Sequence, residues 1–85
     1  MVVISKGYKM IRYKLKELMA DKQFTDDSRV TMEIVSKATG IHRTTLSKIA
    51  NTKGYKTSTD VLDKLCEYFD VDLSRLAEYV KIDNE

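Results

Sequence analysis

The 85-residue chain has no proline and no tryptophan, only three glycines, one cysteine and one histidine. Each scarcity excludes something. Without proline, no helix is forced to kink or stop, so uninterrupted helical runs are open to the backbone. Cys66 has no partner for an internal disulfide, and its place in an apolar-periodic segment reads as a buried thiol in a reducing cytoplasm. A lone histidine and a lone cysteine cannot complete a zinc site, so no metal is expected in the monomer. No apolar run approaches the roughly 18 residues a membrane span requires, and the opening MVVISKGYK has too short an apolar stretch for a signal peptide. No glycine-rich phosphate loop or nucleophile motif occurs, and Ser36 and His42 share no evident geometry, so neither a cofactor nor catalysis is expected.

What is present suits a small globular protein. Apolar residues make up 42% and charged residues 33% of the chain, and the length allows a single domain over residues 1–85 with one modest core. The net charge of +2 hides a polarised distribution. Residues 1–57 carry 12 Lys/Arg against 5 Asp/Glu, whereas residues 58–85 carry 3 against 8. From Ile34 to Thr59 there are five basic residues and no acidic one. Such a stretch attracts a polyanion.

Helical periodicity organises most of the chain. Ile11, Leu15, Leu18 and Met19 predict a first helix over about 10–22. QFTDDSRV then breaks the period and predicts a loop, with Phe24 and Val30 as candidates to pin it to the core. Thr31 is a candidate N-cap for a short helix over 32–39 that buries Ile34, Val35 and Ala38. Gly40 supplies the left-handed residue that closes it. A third helix follows within two residues, with Leu46, Ile49 and Ala50 as its apolar stripe. TST caps a fourth, built on Val61, Leu62, Leu65, Cys66 and Phe69, and Asp72 is placed to cap a fifth with Leu73, Leu76, Ala77 and Val80 on one face. The fold expected is all-α, a compact bundle of five helices with no convincing sheet.

Two short helices joined through Gly40-Ile41 cannot lie back on each other as a long hairpin, because such a turn holds them at roughly 90–120°. The second is pushed outward, anchored by Ile41, Leu46 and Ile49, and offers Arg43, Thr44, Ser47 and Lys48 to a partner. A helix fits the major groove of B-DNA, where base edges present distinct donor and acceptor patterns. MEIVSKATGIHRTTLSKIAN, with Ser36, Gly40 and Asn51 at telling positions, resembles the helix-turn-helix of the lambda repressor-like (Cro/repressor, Xre) family, and the likeness extends over roughly 10–80.

The resemblance implies base contacts by Arg43, Thr44 and Lys48. Arg43 can donate a fork of two hydrogen bonds to guanine O6 and N7. It implies phosphate contacts among His42, Thr45 and Ser47 bordering that set, by Asn51, Lys53 and Lys56 after the helix, and near Thr31 at an amide-rich N-terminus. Tyr55 either bonds a phosphate or packs under its loop. Met32 stands where many relatives carry glutamine, so a side-chain phosphate bond is missing there. The connection DKQFTDDSRVT is longer than usual, and Asp26 and Asp27 direct it away from DNA or toward another protein. The leader, residues 1–9, is open to three readings: a basic arm, a strand pairing across a dimer, or a frayed end.

The acidic C-terminal part is either solvated surface or a face for a protein partner. Its apolar residues Leu73, Leu76, Tyr79, Val80 and Ile82 are the candidate seam of a homodimer, as the family resemblance also implies, with 81–85 as a tail. The function expected is a cytoplasmic, sequence-specific regulator of transcription, a repressor that binds a palindromic operator on double-stranded DNA as a dimer. The alternative is a protein-interaction module of the antitoxin or anti-repressor kind.

Overall fold

Two stretches of the kind strands favour, YKMIRY and AEYVKI, lie at opposite ends of the chain and pair with each other. The computed structural model describes residues 8–82. The chain enters along strand β1 (Tyr8–Tyr13) and passes through helices α1 (Leu15–Asp26), α2 (Met32–Thr39), α3 (Arg43–Asn51) and α4 (Thr59–Phe69). After a single helical turn, α5 (Leu73–Leu76), it returns along strand β2 (Ala77–Ile82). The strands run antiparallel, from Tyr8 opposite Ile82 to Tyr13 opposite Ala77.

This sheet corrects the all-α expectation in two places. The first helix does not begin at Met10: residues 10–13 are strand, and α1 starts at Leu15 and runs on to Asp26. The last helix does not reach Val80, because Ala77 already has extended backbone and continues into β2. The expected Asp72 side-chain cap does not form. The two ends are tied at the base of the sheet, where the Lys14 amide donates to the Leu76 carbonyl at 2.7 Å and Lys14 Nζ donates to the Ser74 carbonyl at 3.1 Å. Arg12 bridges the strands and α1, donating to Glu78 at 2.7 Å and to Glu17 at 3.0 Å. The Glu78 hydrogen bond and then the Glu17 charge raise the Arg12 pKa further above its usual value.

The core draws at least one side chain from every helix: Leu15 and Leu18 of α1, Val35 of α2, Leu46 and Ile49 of α3, Leu65 of α4 and Leu76 of α5, joined by Val30 and Ile41 from the connections. Val30 does pin the loop after α1, but Phe24 does not: it sits on the outer face of α1, 89% exposed. Ile34 and Ala38 also lie outside the core, leaving Val35 as the buried anchor of α2. The connection before α2 is shorter than its sequence suggests, since helix takes up the residues to Asp26. Gln23 then organises the remainder, accepting at its side-chain oxygen from the Val30 amide at 3.0 Å, while Asp27 closes the helix in the left-handed conformation. Tyr8 and Lys9 of the leader belong to β1, whereas residues 1–7 and the tail beyond Ile82 lie outside the described residues.

Candidate nucleic-acid interface

The site is built on α2, α3 and the residues joining them. Thr31 Oγ1 accepts from the Ile34 amide at 3.2 Å, capping α2 as its sequence position implies. Gly40 ends that helix at φ 80°, a conformation that costs glycine little and a side chain more. His42 then opens α3, its Nδ1 accepting from the Thr44 amide at 3.1 Å. A nitrogen that accepts is unprotonated, so the ring proton is on Nε2 of this exposed residue.

Ile41, the residue in the corner, has both its main-chain groups held by hydroxyls of α2. Ser36 Oγ donates to its carbonyl, and Thr39 Oγ1 accepts from its amide at 3.2 Å while donating to the Val35 carbonyl at 2.7 Å. The turn is therefore fixed on three sides: by the glycine, by the buried Ile41 side chain and by this pair of hydroxyls. The sequence places Ser36 at a telling position of the motif and by itself gives Thr39 no role. The available signal was a hydroxyl residue four before and another one before Gly40.

Anchored this way, α3 has two distinct sides. Leu46 and Ile49 are buried and Ala50 is half-buried, whereas Arg43, Thr44, Ser47, Lys48 and Asn51 are exposed. At about 100° per residue the exposed five fall within an arc of roughly 140°, opposite the buried pair. Thr45 sits at the boundary, half-buried. Asn51 folds back along its own helix, donating from Nδ2 to the Ser47 carbonyl at 3.0 Å. Among the described residues, Arg43, Lys48 and Lys56 make no ion pair.

After α3 the chain makes a tight turn, closed by the Tyr55 amide donating to the Thr52 carbonyl at 3.2 Å, with Gly54 at φ 72°. Lys53 and Lys56 are exposed in this connection, and Tyr55 is half-buried with its ring packed against the core. Met32 likewise packs against the core. Burial pushes the Tyr13 hydroxyl up, while a hydrogen bond from the Thr57 backbone pulls it the other way. Burial, with Asp63 and Asp72 nearby, raises the pKa of the Cys66 thiol above its usual value. Among the described residues no group of His, Cys, Asp and Glu could hold a metal, and no helix is long and apolar enough to cross a membrane.

Of the seam candidates, Leu76 is fully buried in the protomer's own core and has no surface to offer a second copy. Leu73 and Tyr79 are exposed, Val80 is half-buried, and Ile82 occupies the terminal pair of the sheet.

A short helix set after a glycine corner, its inner side buried and its outer side carrying exposed cations and hydroxyls, defines a helix-turn-helix domain. Residues 14–81 match the Cro/C1-type HTH DNA-binding domain, and the chain belongs to that family. Among solved structures, that of the transcriptional regulator VanUg is similar, with a TM-score of 0.66 over 93% of this chain and 95% of that chain at 22% identity, a likeness of fold. No curated protein matches the chain by sequence.

Proposed function

We propose that this domain is a sequence-specific regulator of transcription, a repressor that binds a palindromic operator as a homodimer. The observation that carries the reading is the outer arc of α3: Arg43, Thr44 and Lys48 exposed together on a helix whose opposite side is buried, in a stretch free of carboxylates from Ile34 to Thr59. In this reading Arg43 reads a guanine, Thr44 offers its methyl to a thymine, and Lys48 reaches either a base or a phosphate. His42 presents its Nε2 proton to a phosphate, and Ser47, Thr45, Asn51, Lys53 and Lys56 continue the backbone contacts. The amide-rich start of α2 at Thr31 adds another. Two copies related by a two-fold axis would set their α3 helices about 34–36 Å apart in successive major grooves. The exposure of Leu73 and Tyr79, and of Ile11 directly opposite Tyr79 in the sheet, supports a seam centred on these residues.

Selection of bound fragments from a random duplex pool tests this reading, and a recovered palindrome is the expected result. On that site Arg43→Ala should cost about 1–3 kcal/mol and relax preference at one base position. Lys56→Ala should weaken selected and scrambled duplexes alike and flatten the salt slope by about 0.9. Equal wild-type affinity for selected and scrambled DNA would defeat the claim of specificity.

A further inference from the structure

Strand β1 does more than pair with β2. Its free side meets the turn that follows α3, and the two enclose a groove of about 580 Å³ whose walls include Met10, Tyr13, Thr52 and Gly54. Two contacts join them. A Cβ placed on Gly54 would lie 3.4 Å from Met10 Sδ and 3.8 Å from Met10 Cβ, so the Met10 side chain is packed directly beneath the turn. Three residues along the strand, the half-buried Tyr13 lines the same groove, with its hydroxyl near the backbone of Thr57 at the far end of the same connection. Tyr55, between them, packs against the same core as Tyr13.

The connection has no helix or strand between Asn51 and Thr59, and its turn is closed by the Tyr55 amide donating to the Thr52 carbonyl. A segment without regular secondary structure opens locally at low free energy unless side chains constrain it. It also carries Lys53 and Lys56, side chains that the proposed function assigns to phosphate. Phosphate contacts contribute only if their donors are held in place before the DNA arrives, because ordering them at binding subtracts from the affinity gained.

We propose that Met10 and Tyr13 are positioning residues for DNA binding: from beneath, they fix the turn Thr52–Tyr55 and the residues up to Thr57 so that its donors face the phosphate backbone. The inference rests on the DNA-binding reading above and extends it to two residues on a strand that carries no assigned DNA contact. The effect is on the sugar-phosphate backbone, so it is blind to sequence. Removing either constraint therefore weakens all DNA equally, in contrast to a change at Arg43.

The test compares wild type with Tyr13→Phe, Met10→Ala and Met10→Leu on a selected duplex and a scrambled one. Binding is titrated against potassium chloride at a temperature where circular dichroism shows every protein folded. Tyr13→Phe and Met10→Ala should each weaken both duplexes by the same factor, roughly three- to tenfold, with a salt slope shallower by about 0.9 for each phosphate that is no longer neutralised. Met10→Leu, which refills the space beneath Gly54, should restore both readings. Unchanged affinity and slope in Tyr13→Phe and Met10→Ala would overturn the proposal. So would weakened binding with the wild-type slope, since the variants would then still neutralise the same phosphates. A wild type that binds both duplexes equally refutes sequence specificity while leaving this test intact, and one that binds neither defeats both.

Discussion

Ser36 and Thr39 hold the corner on which the orientation of α3 depends, and replacing them tests that claim quantitatively. Ser36→Ala removes the donor to the Ile41 carbonyl. Losing one such bond costs about 0.5–1.5 kcal/mol, or about 1–3 kcal/mol where the abandoned partner is cut off from water. Ser36 is half-buried, so the middle of the combined range, about 1–2 kcal/mol, applies. Alanine returns about 0.5 kcal/mol through its better helix propensity, leaving a net loss of about 0.5–1.5 kcal/mol. Thr39→Val keeps the shape and has nearly the same propensity as threonine, but strands the Ile41 amide, whose acceptor is Thr39 Oγ1. Its cost is about 1–2 kcal/mol. Because both hydroxyls act on Ile41, the double variant should show a coupling of about 0.5 kcal/mol or more. Urea denaturation followed by circular dichroism reads these numbers, and the midpoint should fall with an unchanged m-value. In a domain of this size the thermal midpoint should drop by about 4–8 °C for each kcal/mol. Stabilities within about 0.3 kcal/mol of wild type in both single variants would refute the argument that the hydroxyls hold the turn, and additivity in the double would refute their acting together through Ile41.

Two further outcomes follow from the same geometry. His42→Ala should lower stability by about 1 kcal/mol through loss of the α3 cap, while His42→Asn, which can still accept from the Thr44 amide, should restore most of it in thermal melts. Tyr79→Glu puts a charge on a side chain that is 66% exposed, so the protomer's stability should change by less than about 0.5 kcal/mol. The mass from light scattering should nonetheless fall from dimer to monomer, and an unchanged mass would remove Tyr79 from the seam.

The helix-turn-helix was legible in the sequence because its determinants are local. Thr31, Gly40 and the Leu46/Ile49 stripe each act within one or two helical turns, and the structure shows the cap, the left-handed residue and the buried anchors where periodicity and turn chemistry place them. The hydroxyl pair on Ile41 was harder to see. Serine and threonine inside a helix commonly bond their own helix or water, and which carbonyl Ser36 reaches depends on a turn whose path the sequence leaves open. Phe24 misled for a related reason: an aromatic between polar residues suggests an anchor, but α1 continues past it and turns its position to solvent.

The sheet was illegible for a different reason, and its consequences reach the proposed dimer. KMIRYKLKEL satisfies a helical period at Ile11, Leu15 and Leu18, and LSRLAEYV satisfies one at Leu73, Leu76, Ala77 and Val80. Each segment alone also admits an alternating reading, and what selects the strand is its partner more than sixty residues away: Arg12 meets Glu78, Ile11 meets Tyr79 and Met10 meets Val80 only when both segments are extended and in register. Pairing of that kind is decided by the tertiary fold, beyond the reach of a window of a dozen residues. Switching from helix to strand at Ala77 redistributes the apolar side chains. Leu76 stays inward and completes the core, while alternation along β2 carries Tyr79 out to solvent opposite Ile11. A helical seam would have presented Leu73, Leu76 and Val80 as one stripe, whereas the sheet presents Ile11 and Tyr79 as a cross-strand pair with Lys9 and Lys81 facing each other beside it. Two lysines directly opposite on one face repel, so a second copy stacked squarely over that end would bring four cations together. The proposed seam is therefore favoured toward the α5 end of the sheet, around Leu73 and Tyr79, and away from the Lys9 and Lys81 end.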